Sequence, residues 1–320
     1  MADQAEEARV PFHLPVLQTE VVDRLGVRSG GVYVDATVGD GGHALALLRA
    51  SSPLGCVCGI DLDPRSLVRA EQRLAPFGSR FTPVLGSYAS MVSLVQGAWG
   101  GEVRVEGILL DLGISSRQVD GPGFGFSFQR DEPLDMRFNP DADVPTAAEL
   151  VNTWPEARLA SVLREFGEEP RAAAIARSLV RGRPVRTTAQ LAELAGGRGG
   201  RRGPRRTHPA TRTFQALRIA VNDELNTLEE GLKAAVELLA PEGRVGIISY
   251  HSLEDRLVKN FLAREGARCI CPPGLPVCVC NHKPTINLVN RRIIRPSVEE
   301  VAANPRSRSS RLRVAQRLQD

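Results

Sequence analysis

The chain has 320 residues, 42% hydrophobic and 24% charged, with 41 basic against 37 acidic side chains. That length allows roughly two domains or one large one, and the composition excludes disorder over most of the chain. No apolar run approaches the ~20 residues that span a bilayer, and the acidic start, Met-Ala-Asp-Gln-Ala-Glu-Glu, has no apolar core behind it, so the expected compartment is cytoplasmic, with no membrane partner.

The first half alternates strand-like and helix-like segments. Val32-Tyr33-Val34-Asp35 is a β-branched run that ends in glycines, and Ala44 to Arg49 has helical composition. Cys56 to Asp61 predicts a second buried strand, followed by a helix that Pro64 opens and that runs to about Ala75. Phe81 to Leu85 and Gly107 to Asp111 predict a third and a fourth strand. Strands alternating with helices imply a parallel sheet covered on both faces.

From about Asn139 to Arg206 the strand pattern stops. Ala147–Asn152, Glu156–Phe166, Arg171–Arg181 and Thr188–Leu194 read as short helices, and the tract from Gly196 is low-complexity Gly/Arg. One helix is then expected from Thr211 to Leu239, and a fifth strand from Arg244 to Ser249. The reading is an α/β domain formed by 1–138 and 208–320, interrupted by an all-helical insertion at 139–207 that carries the basic loop. Ten arginines and one acid lie between Arg181 and Arg218, and eight arginines against three acids lie from Arg291 onward. Such clusters are either the footprint of a polyanion binder or solvated surface.

The sharpest signal is Asp35-Ala-Thr-Val-Gly-Asp-Gly-Gly-His43 at a strand-to-helix turn. Gly39, Gly41 and Ala44 satisfy the dinucleotide fingerprint, and Asp61 lies 20 residues beyond Gly41, at the tip of the next strand. The glycines let backbone approach a ligand, and the acid suits a ribose diol. A pyrophosphate avoids nearby anions, yet Asp35 and Asp40 flank this turn. S-adenosyl-L-methionine carries a sulfonium and no phosphate, so the charges favour a methyl donor over a nicotinamide dinucleotide. Ligands of open parallel sheets sit beyond the strands' carboxyl ends, which places Asp35, Asp61, Asp111 and Ser249 on one rim.

These segments carry a family likeness. The blocks are His13-Leu-Pro-Val-Leu17, the glycine turn, Gly107-Ile-Leu-Leu-Asp-Leu-Gly-Ile-Ser-Ser116, Gly125-Phe-Ser-Phe-Gln-Arg-Asp131, Pro133-Leu-Asp-Met-Arg137, His208 to Arg218, Ser249 to Arg256 and Asn304 to Arg311. In order and over nearly the whole chain they resemble the RsmH (MraW) family. These are bacterial methyltransferases that modify N4 of a cytidine in 16S ribosomal RNA. The likeness implies a Rossmann-like class I sheet and a donor site of Gly41, Gly42, His43, Asp61, Tyr88, Asp111 and Gln118. It also implies 16S rRNA or the small ribosomal subunit as partner; the oligomeric state stays open. The chain departs from the family pattern at Val38 and Asp40, usually Phe and Arg, and at Tyr88, commonly Phe.

Cytosine N4 is a poor nucleophile because its lone pair is delocalised into the ring, so its methylation needs alignment and a proton acceptor. Asp111, Ser115, Ser116 and Asp135 are the candidates. Carbon-5 chemistry would need a cysteine near that loop, and none lies there. Phe124, Phe126 and Phe128 alternate, predicting a half-buried strand or a stacking platform for nucleotides. On the Thr211 helix, Phe214, Leu217, Val221 and Leu225 form an apolar face. Arg212, Gln215, Arg218 and Asn222 form a polar stripe for RNA or for solvent. His251 is placed to orient the base or to bond a loop. Cys269-Ile-Cys271 and Cys278-Val-Cys280 flank a proline-rich segment and are either four packed thiols or a zinc site with unusually short C-x-C spacing. The remaining rivals are a nicotinamide oxidoreductase and an RNA-binding assembly factor with a vestigial pocket.

Overall fold

The computed structural model describes residues 15–196, 208–272 and 277–319. The Gly/Arg tract at 197–206 and the first residues of the His13 block lie outside them. Contacts divide the chain into two compact units, Met1–Gly113 with Thr227–Asp320, and Ile114–Asn226.

The first unit holds a seven-stranded sheet. Its strands are β1 (Val32–Asp35), β2 (Cys56–Asp61), β3 (Phe81–Leu85), β4 (Val105–Asp111), β5 (Leu239–Ser249), β6 (Ile286–Leu288) and β7 (Arg311–Arg317). Their order is β3-β2-β1-β4-β5-β7-β6, parallel from β3 to β5 and antiparallel where β7 meets β5 and β6. This is the doubly wound, Rossmann-like arrangement expected from the alternating pattern, with the chain's direction across the sheet reversing between β1 and β4.

The period of two along each strand sorts side chains into two cores. Val34, Cys58, Ile60, Ile108, Leu110, Val245 and Ile247 face one layer, where they meet Met91 and Val95 of a helix at Met91–Trp99, Leu228 and Leu232 of one at Glu224–Leu238, and Val258 and Leu262 of one at Ser252–Glu265. Tyr33, Val57, Leu109, Ile248, Leu312 and Val314 face the other. There they pack on helices Gln18–Leu25, Gly42–Ala50 and Pro64–Leu74 through Val21, Leu47 and Leu67 among others. Runs such as Gly107-Ile-Leu-Leu are apolar throughout because both faces of a central strand are buried.

The second unit is helical: Ala147–Thr153, Glu156–Glu165, Ala172–Arg181, Thr188–Gly196 and Thr211–Asn222 surround a core that includes Leu150, Leu159, Ile175, Leu179 and Leu217. It is wider than the expected insertion at both ends, and the reason is packing. Phe126, Leu134 and Met136 on one side of 139–207, and Phe214, Leu217 and Val221 on the other, are buried in this helical core. The three alternating phenylalanines form neither a strand nor a free platform. Phe124 stacks on Phe126 at 6.2 Å, Phe126 lies 5.7 Å from Phe138, and Phe128 meets the Phe214 edge at 5.1 Å. The single helix expected from Thr211 to Leu239 is two helices, broken where Asp223 takes a left-handed conformation (φ 49°) after Asn222.

Candidate active site

At the end of β1 the chain turns through Gly39 (φ 51°) and Gly41 (φ 78°) into the helix at Gly42–Ala50. A Cβ on Gly39 would enter open space, so this glycine is required by its backbone conformation rather than by crowding. Gly41 meets both demands, because a Cβ there would also press on Leu74 and Ala70. The turn is bolted to its neighbours on both sides. Gly39 N–H donates to Asp61 Oδ2 (2.8 Å), and Asp111 N–H donates to Thr37 Oγ1 (2.7 Å). The latter bond spans the point at which the sheet order reverses.

Three carboxylates end adjacent strands here. Asp61 at the tip of β2 accepts from Gly39 and, at 2.9 Å, from Asp63 N–H. Burial pushes its carboxyl up to about 6. Asp35 at the tip of β1 is fully enclosed, and burial pushes it up to about 7, partly offset by His43. Its Oδ2 has no hydrogen-bond partner. Asp111 at the tip of β4 accepts at Oδ1 from the Tyr250 hydroxyl (2.8 Å), while Oδ2 lies 3.5 Å from His43 Nε2. Burial is the largest influence on His43 and pulls its imidazole down. Asp111, Asp35 and Glu300 together outweigh it and hold the group above its ordinary value. Burial and Asp111 raise the Tyr250 hydroxyl well above its ordinary value, so it is a neutral donor.

Asp40 does not contribute to this negative patch. Arg69 Nε donates to it at 2.7 Å and Arg73 Nη1 donates to its carbonyl oxygen, so the acid is neutralised from the Pro64–Leu74 helix. Ser249 also leaves the rim, its hydroxyl donating to the Arg311 carbonyl oxygen (3.5 Å). The unpartnered oxygen of Asp35, the flanking Asp61 and Asp111, and the open glycine turn form a cradle for a ligand with positive charge and hydroxyl donors. A diphosphate would be repelled.

The model of the MraW methylase family matches residues 11–318. The chain belongs to the MraW methylase family. Curated relatives called ribosomal RNA small subunit methyltransferase H align along almost all of it. The one from Thermomicrobium roseum is 52% identical over 96% of this chain and 94% of its own length. Those from Dehalococcoides mccartyi (strain 195) and Carboxydothermus hydrogenoformans are 49% and 47% identical over 96% of this chain, and cover 86% and 98% of their own lengths. Among solved structures, a putative rRNA methylase from Clostridium thermocellum aligns over 97% of this chain and 99% of its own, at 11% identity and a TM-score of 0.45. That likeness is too distant to carry weight.

S-adenosylmethionine is the methyl donor of this MraW-family chain, and the cradle fits it: a sulfonium and an ammonium suit the acids, and a ribose diol suits Asp61. Of the residues expected around the donor, Gly41, Gly42, His43, Asp61 and Asp111 converge at the rim just described. Tyr88 follows β3 on a short 3-10 turn (Tyr88–Ser90), and its ring packs so closely on Gly231 that a Cβ there would overlap it. Gln118 belongs to the helical unit. Its Oε1 accepts from Ser115 N–H (2.9 Å), while Ser115 Oγ accepts from Gln118 N–H (3.1 Å), a reciprocal cap on the helix Ser116–Asp120.

Of the other proton-acceptor candidates, Ser115 is that cap, and Ser116 is the first residue of the capped helix. Asp135 is gripped by both arms of the Arg137 guanidinium at 2.8 Å. The polar stripe is likewise engaged within the protein, which is why its spacing matched a functional face. Arg212 and Gln215 donate to the carbonyl oxygens of Glu168 and Phe166. Arg218 forms a part-buried two-pronged pair with Glu224 (2.7 and 2.8 Å), and Asn222 donates to the Met136 carbonyl while accepting from Phe138 N–H. His251 caps the Ser252–Glu265 helix, with Nδ1 accepting from Glu254 N–H. Thr37 went unread in the sequence. Tyr250 was read only as part of the segment after the fifth strand whose side chains should approach the acceptor pocket, not as the partner of Asp111. That pairing was legible in principle, since Tyr250 follows the last residue of β5, the parallel neighbour of the strand that ends in Asp111.

Proposed function

We propose that this chain transfers the methyl group of S-adenosylmethionine to N4 of a cytidine in 16S ribosomal RNA. The observation that carries the reading is the cradle at the sheet's reversal point, a buried Asp35 oxygen without a partner beside an Asp111 held by Tyr250 and His43. Family membership supplies the reaction class.

The donor supplies an electrophilic methyl group on a sulfonium. Asp35 and Asp111 offset the positive charge at the rim, Asp61 accepts from ribose hydroxyls, and the first turn of the Gly42–Ala50 helix, which has no side-chain cap, offers N–H groups to a carboxylate. As N4 takes the methyl group it becomes cationic and must lose a proton. Asp111 is the acceptor, its carboxylate aimed by the Tyr250 hydroxyl and flanked by His43. Carbon-5 chemistry lacks a nucleophile among these residues. Burial pushes the Cys58 thiol up to about 12, and Cys56 begins β2, at the end of the strand opposite the rim. The base must be unpaired or flipped out to reach such a rim.

The deciding experiment is mass spectrometry of 16S rRNA nucleosides from cells with and without the gene. The expected result is loss of an N4-methylated cytidine; an unchanged nucleoside profile overturns the proposal. Calorimetric titration with S-adenosylhomocysteine and with NADH separates the methyl donor from the dinucleotide rival, only the former being expected to bind.

A further inference from the structure

Four of the six cysteines take no part in the site above. Cys269 and Cys271 follow the Ser252–Glu265 helix, and Cys278 and Cys280 precede β6. The two C-x-C arms bring their sulfurs together. Sγ of Cys278 lies 3.5 Å from that of Cys269, 3.5 Å from that of Cys280 and 3.9 Å from that of Cys271, and Cys280 lies 3.8 Å from Cys269. All four lie within 4.8 Å of one another. A zinc ion with Zn–S bonds of about 2.3 Å sets the sulfurs of its tetrahedron about 3.8 Å apart. The observed separations bracket that edge and are far too long for S–S bonds of about 2.05 Å.

Two further observations point to a ligand. Three backbone N–H groups donate to these sulfurs at 3.4 Å: Ile270 to Cys280, Cys271 to Cys269, and Val279 to Cys271. Such donors ease the charge of clustered thiolates, which four neutral thiols would not need. The segment also has no core. None of its described residues is buried, and Val277 and Val279 are each 70% exposed. Hydrophobic burial therefore does not account for its convergent shape, and a metal does.

We propose that Cys269, Cys271, Cys278 and Cys280 bind one zinc ion as a closed tetrahedral thiolate site that clamps the two C-x-C arms together. With four protein ligands the ion has no open position, so its role is structural. The short C-x-C spacing is accommodated because each arm supplies an edge of the tetrahedron rather than a full turn around the metal.

The test uses the full-length protein purified without chelator. Elemental analysis is expected to give one zinc per chain, and Cys269→Ser/Cys278→Ser to give none. Misfolding of that variant is controlled by a second measurement on the wild type. The metal is stripped with a strong chelator under reducing conditions and Zn(II) or Co(II) is added back. One equivalent is expected to protect four thiols from a thiol reagent, and cobalt to give the intense visible bands of a tetrahedral thiolate site. Four reactive thiols that no added metal protects, two disulfides by mass, or iron in place of zinc would each overturn the proposal.

Discussion

The chemistry at the rim depends on where individual protons reside. Asp35 and Asp61 titrate near 7 and 6 in the folded chain, against about 3.9 in an unfolded one. Folding therefore takes up protons. The resulting stabilisation is complete below about pH 4 and is lost as the pH rises through 6 and 7. Without ligand, the melting temperature is expected to fall between pH 5 and pH 8. A cationic donor selects the ionised acids, so its affinity should rise over the same interval with release of protons. Calorimetry in buffers of different ionisation enthalpy measures this, and a heat independent of buffer would count against the carboxylate cradle. Asp111→Asn removes the proposed proton acceptor while keeping its shape. It is expected to lower kcat by about 10²–10⁴, the usual range for a proton-transfer group. Tyr250→Phe removes one bond to the same carboxylate and should cost about tenfold, since a hydrogen bond to a charged group is worth about 1.5 kcal/mol or more.

Helices and strands were legible where periodicity and turn chemistry agreed. The apolar runs of β1, β2 and β4 and the glycine turn declared themselves, because a strand buried on both faces can be little else. The break at Asp223 did not, since a left-handed residue other than glycine leaves no compositional mark. The internal partners of the polar stripe on the Thr211–Asn222 helix were hidden for a related reason. Spacing shows that Arg218 and Asn222 share a face, but not that Glu224 and the backbone of Met136 and Phe138 are waiting there. The Glu224–Leu238 helix supplies a test with opposing signs. Ala in place of Gly inside a helix ordinarily stabilises by about 1 kcal/mol. Gly231→Ala should instead displace the Tyr88 ring and weaken donor binding, read as a higher Kd for S-adenosylhomocysteine beside an intact far-UV spectrum.

Over the whole molecule, the basic clusters are smaller than their arginine count suggests. Arg311 and Arg313 pair with Asp255, and Arg317 donates to the carbonyl oxygens of Val236 and Leu239 at the end of a helix. Arg183 donates to the Val151 carbonyl oxygen. These side chains make bonds within the protein, which leaves them fewer donors for phosphate. Affinity for rRNA should still fall as salt rises. Its log–log slope is expected to report fewer contacts than the eighteen arginines of the two clusters would give. A binding curve flat in salt would remove phosphate contact altogether. The bond from Asp111 N–H to Thr37 Oγ1 has a consequence on the same scale. It ties the turn proposed to hold the donor to the residue proposed to face the base, so binding of the two substrates is expected to be coupled. Each reactant should therefore change the measured affinity for the other, and by thermodynamic reciprocity whatever help the first gives the second is returned in equal measure.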